Sequence, residues 1–145
     1  MKREDLILEI TRVLKDRNVI TEIRSCQFEK KPVVLKHLKG VYIIYDRRTG
    51  VIVYVGKSDN NIYGRIDPPH WNKATGIWEG KDSTGGWNYL RENYAYDVKD
   101  WEIIFVELPL YKKRTSVEGL LIDNLDPVAN DEIFLDMLIT KEKVA

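Results

Sequence analysis

Two tyrosines, a lysine, an arginine and a glutamate are the residues of this 145-residue chain whose types and spacing could do chemistry. Tyr42 and Tyr54 lie in GVYIIYDRRTGVIVYVGKS, residues 40–58, which reads as a β-hairpin with Gly50 ending a three-residue Arg48-Thr49-Gly50 loop in the left-handed conformation. That loop sets Arg47 opposite Val51, Ile44 opposite Tyr54 and Tyr42 opposite Gly56, so the two phenols are diagonal neighbours on one sheet face. Gly56 either leaves room beside Tyr42 for the close approach of a ligand or marks a bulge. Lys57 brings a cation to the strand end, as a phosphate contact or as an ordinary solvated side chain. Arg65 carries a planar, permanent charge able to hold a phosphate through two parallel hydrogen bonds; a surface ion pair is its alternative. On a helical wheel Glu118 projects between Leu125 and Ile122, inside the apolar arc of Val117, Leu120, Leu121, Ile122 and Leu125. A carboxylate there needs a cation or several donors, or it closes a capping box over Thr115-Ser116-Val117-Glu118. The residues alone leave ligand and cap level.

These side chains need elements to place them. The second face of the hairpin collects Val41, Ile43, Tyr45, Val51, Val53 and Val55, an aliphatic surface that requires a helix or the N-terminal segment over it. Residues 3–16 repeat Leu6, Ile10, Val13 and Leu14 at helical spacing and supply an amphipathic helix. WEIIFVEL, residues 101–108, is a third strand closed by Pro109, and TSVEGLLIDNL and DEIFLDML are two final helices split by DPVAN. A short helix in SDNNIYGRI stops at Pro68-Pro69. Residues 70–100, rich in Gly and Trp, read as loops with one helix near Trp87 to Tyr94, and residues 18–39 carry no clear assignment. The expected fold is one α+β domain over residues 1–145, with a small, mainly antiparallel three-stranded sheet flanked by helices.

Composition narrows the function. A hydrophobic content of 43% suits one ordinary core. No stretch reaches the roughly 18 apolar residues of a membrane span, so a soluble, cytoplasmic protein without membrane partners is expected. The single cysteine, Cys26, excludes an internal disulfide and a cysteine-based zinc site. Lys plus Arg and Asp plus Glu both total 23, so no global basic field attracts a polyanion, and any such site is local. Arg47-Arg48 at the hairpin tip and Lys112-Lys113-Arg114 ahead of a helix are the two local basic runs. His70 could serve as a general base or phosphate donor, or be a plain surface residue, and His37 is a weaker candidate. Trp71, Trp78 and Trp87 fit base stacking or core packing.

Gly40-Val41-Tyr42, then Tyr54-Val55-Gly56 after a hairpin of suitable length, Arg65 on the following helix, Glu118 on a later helix and Asn130 shortly after it together resemble the GIY-YIG nuclease family, over residues 40–131. The resemblance implies a metal-dependent endonuclease acting on nucleic acid, DNA in preference to RNA. It implies one divalent ion, Mg2+ or Mn2+, on Glu118, because a lone carboxylate suits a cation that keeps waters and lets substrate complete its shell. It implies Tyr42 as the acceptor of a proton from the attacking water, with Tyr54 beside it, Arg65 and Lys57 on the phosphate, and Gly40, Gly56 and Asn130 supporting the site. A tyrosine with the ordinary pKa of about 10 is a poor base near neutrality, so a water that Tyr42 merely orients is the competing mechanism. The chain has no room for the separate DNA-binding domain of many homing-type members, which points to a standalone enzyme, a homodimer or a partner protein that supplies specificity. The rival expectations are a catalytically idle nucleic-acid or protein binding module on the same fold, and a structural domain in which Glu118 is only a cap.

Overall fold

Leu6, Ile10, Val13 and Leu14 lie on one stripe, and they are the residues that helix α1 (Arg3–Asp16) buries. Glu4 and Asp5 in its first turn suit the positive end of the helix dipole, and Asn18 just past its end takes a left-handed φ of 55°. The computed structural model describes residues 1–30, 33–60, 62, 70–72, 77–79, 98–128 and 130, with the backbone alone at 33, 34, 70–72, 77–79 and 98. Among them, strands β1 (Ile23–Gln27), β2 (Gly40–Asp46), β3 (Val51–Ser58) and β6 (Trp101–Glu107) form one sheet in the order β1-β6-β2-β3, with every pair antiparallel. The α+β class is as expected, but the sheet has four strands, not three. The added strand is β1, which runs from Ile23 opposite Val106 to Gln27 opposite Glu102. IRSCQ lacks apolar alternation because β1 lies at the sheet edge and buries only part of each inward side chain.

The hairpin reaches the expected tyrosine register by another route. Asp46, not Arg47, faces Val51, and a register shift between Ile44 and Tyr45 restores Ile44 opposite Tyr54 and Tyr42 opposite Gly56. The loop is therefore longer by one residue, Arg47 to Gly50, and a bulge at Val53 compensates. The longer loop is stabilised locally: the Asp46 carboxylate accepts from the Arg48 amide at 2.9 Å, the Asp46 carbonyl accepts from the Gly50 amide at 2.8 Å, and the Arg47 amide is drawn to the Asp100 carbonyl at 3.0 Å. Gly50 has the left-handed φ of 75° that its place required. A bulge turns two successive side chains to one face, so Val53 joins Tyr54 and Ile52 takes the position on the helical face expected for Val53.

Two cores result. On one face α1 and α2 (Tyr111–Leu125) cover Val41, Ile43, Val55, Ile104 and Val106. On the other, Phe28 and Leu35 from two 3-10 turns (Phe28–Lys30 and Val33–His37), Leu38 just past the second, Ile62 and Trp101 close over Tyr42, Ile44, Tyr54 and Phe105. The Tyr45 hydroxyl, on the helical side, donates to the Met1 carbonyl at 2.6 Å and ties the N-terminus to the hairpin. A second, two-stranded sheet pairs β4 (His70–Asn72) with β5 (Ile77–Glu79), where Trp71 faces Trp78, in a region expected to be loop. The helices expected near residues 87–94 and 131–138 lie outside the described residues; of the one expected in residues 58–66, Ser58 instead ends β3, Asp59 and Asn60 form a bend, Ile62 is helical, and the rest lies outside the described residues. No helix among the described residues is long and apolar enough to cross a membrane.

Helix α2 also begins earlier than its sequence suggests, at Tyr111 and not at Thr115. Lys112, Lys113 and Arg114 thus form its first turn, where the helix dipole disfavours cations. Their local contacts offset that cost. The Arg114 guanidinium folds back onto the carbonyls of Leu108 and Pro109 through Nη1 at 2.9 and 2.8 Å, and the Lys113 ammonium donates to the Arg17 carbonyl at the end of α1. With Leu110 at the N-cap and no side-chain cap bond, Glu118 lies two turns inside the helix, and the capping-box alternative for Glu118 is excluded.

Candidate active site

β2 and β3 carry Tyr42 and Tyr54 to the same face because both are an even number of residues from the Ile44–Tyr54 pair, counted along their own strands. Their ring centroids are 6.1 Å apart at an interplanar angle of 37°. Gly56 lies beneath both: a Cβ built there would stand 2.6 Å from the Tyr42 hydroxyl, 2.7 Å from Tyr42 Cζ and 2.8 Å from Tyr54 Cε1. The glycine's open space is therefore filled by the phenols themselves. Tyr42 is fully enclosed at 0% exposure and Tyr54 nearly so at 7%.

Asn130 reaches the neighbouring residue from 75 positions away. Its Nδ2 donates to the Val55 carbonyl at 2.9 Å and its Oδ1 accepts from the Val55 amide at 2.8 Å. β3 is the outer strand, so one side-chain amide satisfies the two backbone groups that a fifth strand would have paired. Asn130 thus pins the strand segment between Tyr54 and Gly56. Removing that amide leaves a partly buried donor and acceptor without their partner. Asn130→Ala is expected to lower unfolding stability by about 1–2 kcal/mol, measured as a fall in urea midpoint at unchanged m-value.

Past Gly56 the strand meets α2. The Lys57 ammonium is 3.1 and 3.3 Å from the two Asp59 carboxylate oxygens and stands 4.7 Å above the Tyr111 ring centroid. Asp59 Oδ1 also accepts from Arg114 Nε at 3.1 Å. Lys57 is therefore not a solvated strand-end cation. Glu118 follows Arg114 by four residues, which places the two on the same flank of α2 about 6 Å apart along its axis, and it is half-buried. The tyrosines and α2 occupy opposite faces of the sheet, and within the described residues they meet through the chain of Gly56, Lys57, Asp59 and Arg114 around the outer strand.

Lys57 and Arg114 hold the Asp59 carboxyl below its ordinary value of 3.8, the Lys57 hydrogen bond first and the Arg114 bond after the opposing effect of desolvation. A depressed folded pKa means that the Asp59 contribution is complete above 3.8 and disappears as the pH falls through the lower folded value. The stability gap between wild type and Asp59→Asn, followed by urea titration, is expected to be constant near neutrality and to close only on the acid side of 3.8.

Gly40 faces Glu107 on β6 and Ser58 on β3. Arg65 lies outside the described residues, as do the side chain of His70 and its Trp71 and Trp78 neighbours. Among the described residues no three His, Cys, Asp or Glu side chains converge as metal ligands. Glu118 itself offers an ion a hard carboxylate oxygen, which suits Mg2+ or Mn2+ better than zinc. Sequence reasoning overlooked Asp59 and Tyr111, and met Arg114 only as the end of a local basic run. Their one local signal is that Arg114 precedes Val117, Leu121 and Leu125 at helical spacing, which would extend the buried stripe back by one turn. In comparisons with known proteins, no family model, no curated protein and no solved structure matches the chain.

Proposed function

We propose that this protein is a metal-dependent endonuclease that hydrolyses phosphodiester bonds of nucleic acid, as its resemblance to GIY-YIG nucleases implies. One observation carries the reading: Gly56 touches both phenol rings, and the residue after it, Lys57, is bound through Asp59 to Arg114, one helical turn before Glu118. Two phenol rings and a cation are thereby linked around one strand, with the Glu118 carboxylate one helical turn further along α2. In this reading Lys57 and Arg65 hold the phosphate, Tyr54 orients the attacking water, and Tyr42 steadies Tyr54 from beneath. Bound on Glu118, a divalent ion supplies Lewis-acid relief of charge on a phosphate oxygen. The enclosed position of Tyr42 supports this steadying role in place of proton exchange, since a general base needs a path to the water it deprotonates. DNA is preferred to RNA on the resemblance alone, and a homodimer or a partner protein that supplies specificity belongs to the same reading.

The burial of Tyr42 also favours a second reading, a nucleic-acid or protein binding module that keeps the fold without the reaction. Plasmid nicking separates the two. Wild type is expected to nick supercoiled DNA with Mg2+ or Mn2+, to stop on chelation, and to lose activity to the chelated background in Glu118→Ala and Arg65→Ala proteins with native circular dichroism. Binding without nicking establishes the module, and nicking that survives Glu118→Ala removes the metal assignment.

A further inference from the structure

We infer that Asp59 and Arg114 are positioning residues for Lys57, holding its ammonium pre-oriented for a phosphate group of the bound strand; the inference rests on the nucleic-acid reading of the site and extends it. A lysine at a strand end samples many rotamers, and a cation that must meet a phosphate reacts best when that freedom is already lost. Here the restriction is built in series. Leu108 and Pro109 carbonyls fix the Arg114 guanidinium, whose side chain is 5% exposed. The guanidinium fixes the Asp59 carboxylate through Nε at 3.1 Å, and that carboxylate fixes the Lys57 ammonium against the face of Tyr111.

Arginine suits the first link because its fork donates in several directions at once, to two carbonyls and a carboxylate. Lysine at that position would supply one compact charge. The group holds two cations and one carboxylate, so a net positive charge remains for an anion at the end of β3. Burying a cation only to brace a carboxylate that is itself 47% exposed adds little to stability, since exposed pairs contribute weakly. The arrangement makes sense as alignment of the second cation.

The test uses the full chain with proton NMR and single-turnover nicking. In wild type the Lys57 ε-methylene is expected upfield of an ordinary lysine, from the Tyr111 ring, and inorganic phosphate is expected to move that resonance. Asp59→Asn and Arg114→Lys are expected to abolish both effects and to lower the cleavage rate on the order of tenfold at unchanged substrate half-saturation. Asp59→Glu, which restores a carboxylate, is expected to recover part of the rate. A merely structural role would leave the phosphate response intact in the folded Asp59→Asn protein. Tighter binding and faster cleavage in Asp59→Asn would overturn the inference, because Asp59 would then be a competitor for Lys57. Wild type that fails to nick, yet shows a phosphate response that Asp59→Asn loses, removes the nuclease reading and keeps the positioning role. Nicking that is equal in wild type and both variants does the reverse.

Discussion

Gly40→Ala is expected to abolish cooperative folding. A Cβ at that position would stand 1.9 Å from the Val106 carbonyl oxygen, 3.0 Å from its carbon and 3.3 Å from the Glu107 Cα. All three are backbone atoms of β6, a central strand paired on one side with β1 and on the other with β2. No rotamer change relieves such a contact. Relief requires β2 and β6 to separate at Gly40, which breaks the ladder next to the bond from the Leu108 amide to the Lys39 carbonyl at 2.9 Å. The cost is expected to exceed about 4 kcal/mol, most of what a domain of this size has to lose. Loss of the near-ultraviolet circular dichroism and of a sharp urea transition would register it. A cooperative transition within about 1 kcal/mol of wild type would show that the strands tolerate a wider spacing.

Gly56→Ala is expected to be severe for a different reason. Its added methyl meets side-chain atoms, the Tyr42 hydroxyl and ring and the Tyr54 ring at 2.6–2.8 Å, and those rings are packed among Ile44, Phe105 and Leu38. Overpacking of this kind costs about 3 kcal/mol, at the upper end for an added methyl, because Tyr42 at 0% exposure has no solvent side to move toward. Since the obstacle is a side chain, it can be removed. Tyr42→Leu in the same protein is expected to recover about 1 kcal/mol of the loss, seen as a favourable coupling in a double-mutant cycle of urea midpoints. Gly40→Ala admits no such partner. Additive losses in the cycle would mean that the strand, and not the ring, yields at Gly56.

The two glycines also show why their tripeptides carry information beyond the resemblance. Gly40 is dictated by how closely two backbones approach, and Gly56 by two aromatic rings laid over one strand. Neither has a positive φ, so both are packing requirements and not turn requirements.

Much of the hairpin was legible from residues 40–58 because the alternation of side chains between faces is a local property with a period of two. That alternation puts Tyr42 and Tyr54 together even though the loop is one residue longer than its sequence suggests. The longer loop is held by the Asp46 carboxylate and the Asp100 carbonyl, which draw the turn inward, and Asp100 is distant in sequence. Helix α1 was legible for the same reason, its stripe repeating within a few residues. β1 was not, because an edge strand that buries its side chains only in part owes its existence to β6, some 80 residues later.

The division extends to the candidate site. Residue types alone determined which groups could meet phosphate and that one face of the hairpin carries two phenols over a glycine. Only the assembled chain decided that α2 starts at Tyr111, that Arg114 is buried and that Glu118 is no cap, because those outcomes depend on carbonyls at Leu108 and Pro109 and a carboxylate at Asp59, which a nearest-neighbour pattern does not contain. Asn130 is the extreme case. Its identity was visible from the start, while its work as a substitute strand along Val55 exists only once 75 residues of chain have brought the two together. Periodic patterns record which face a residue turns to its core; the partners that a polar group finds are set by chain closure, whose geometry no local window holds.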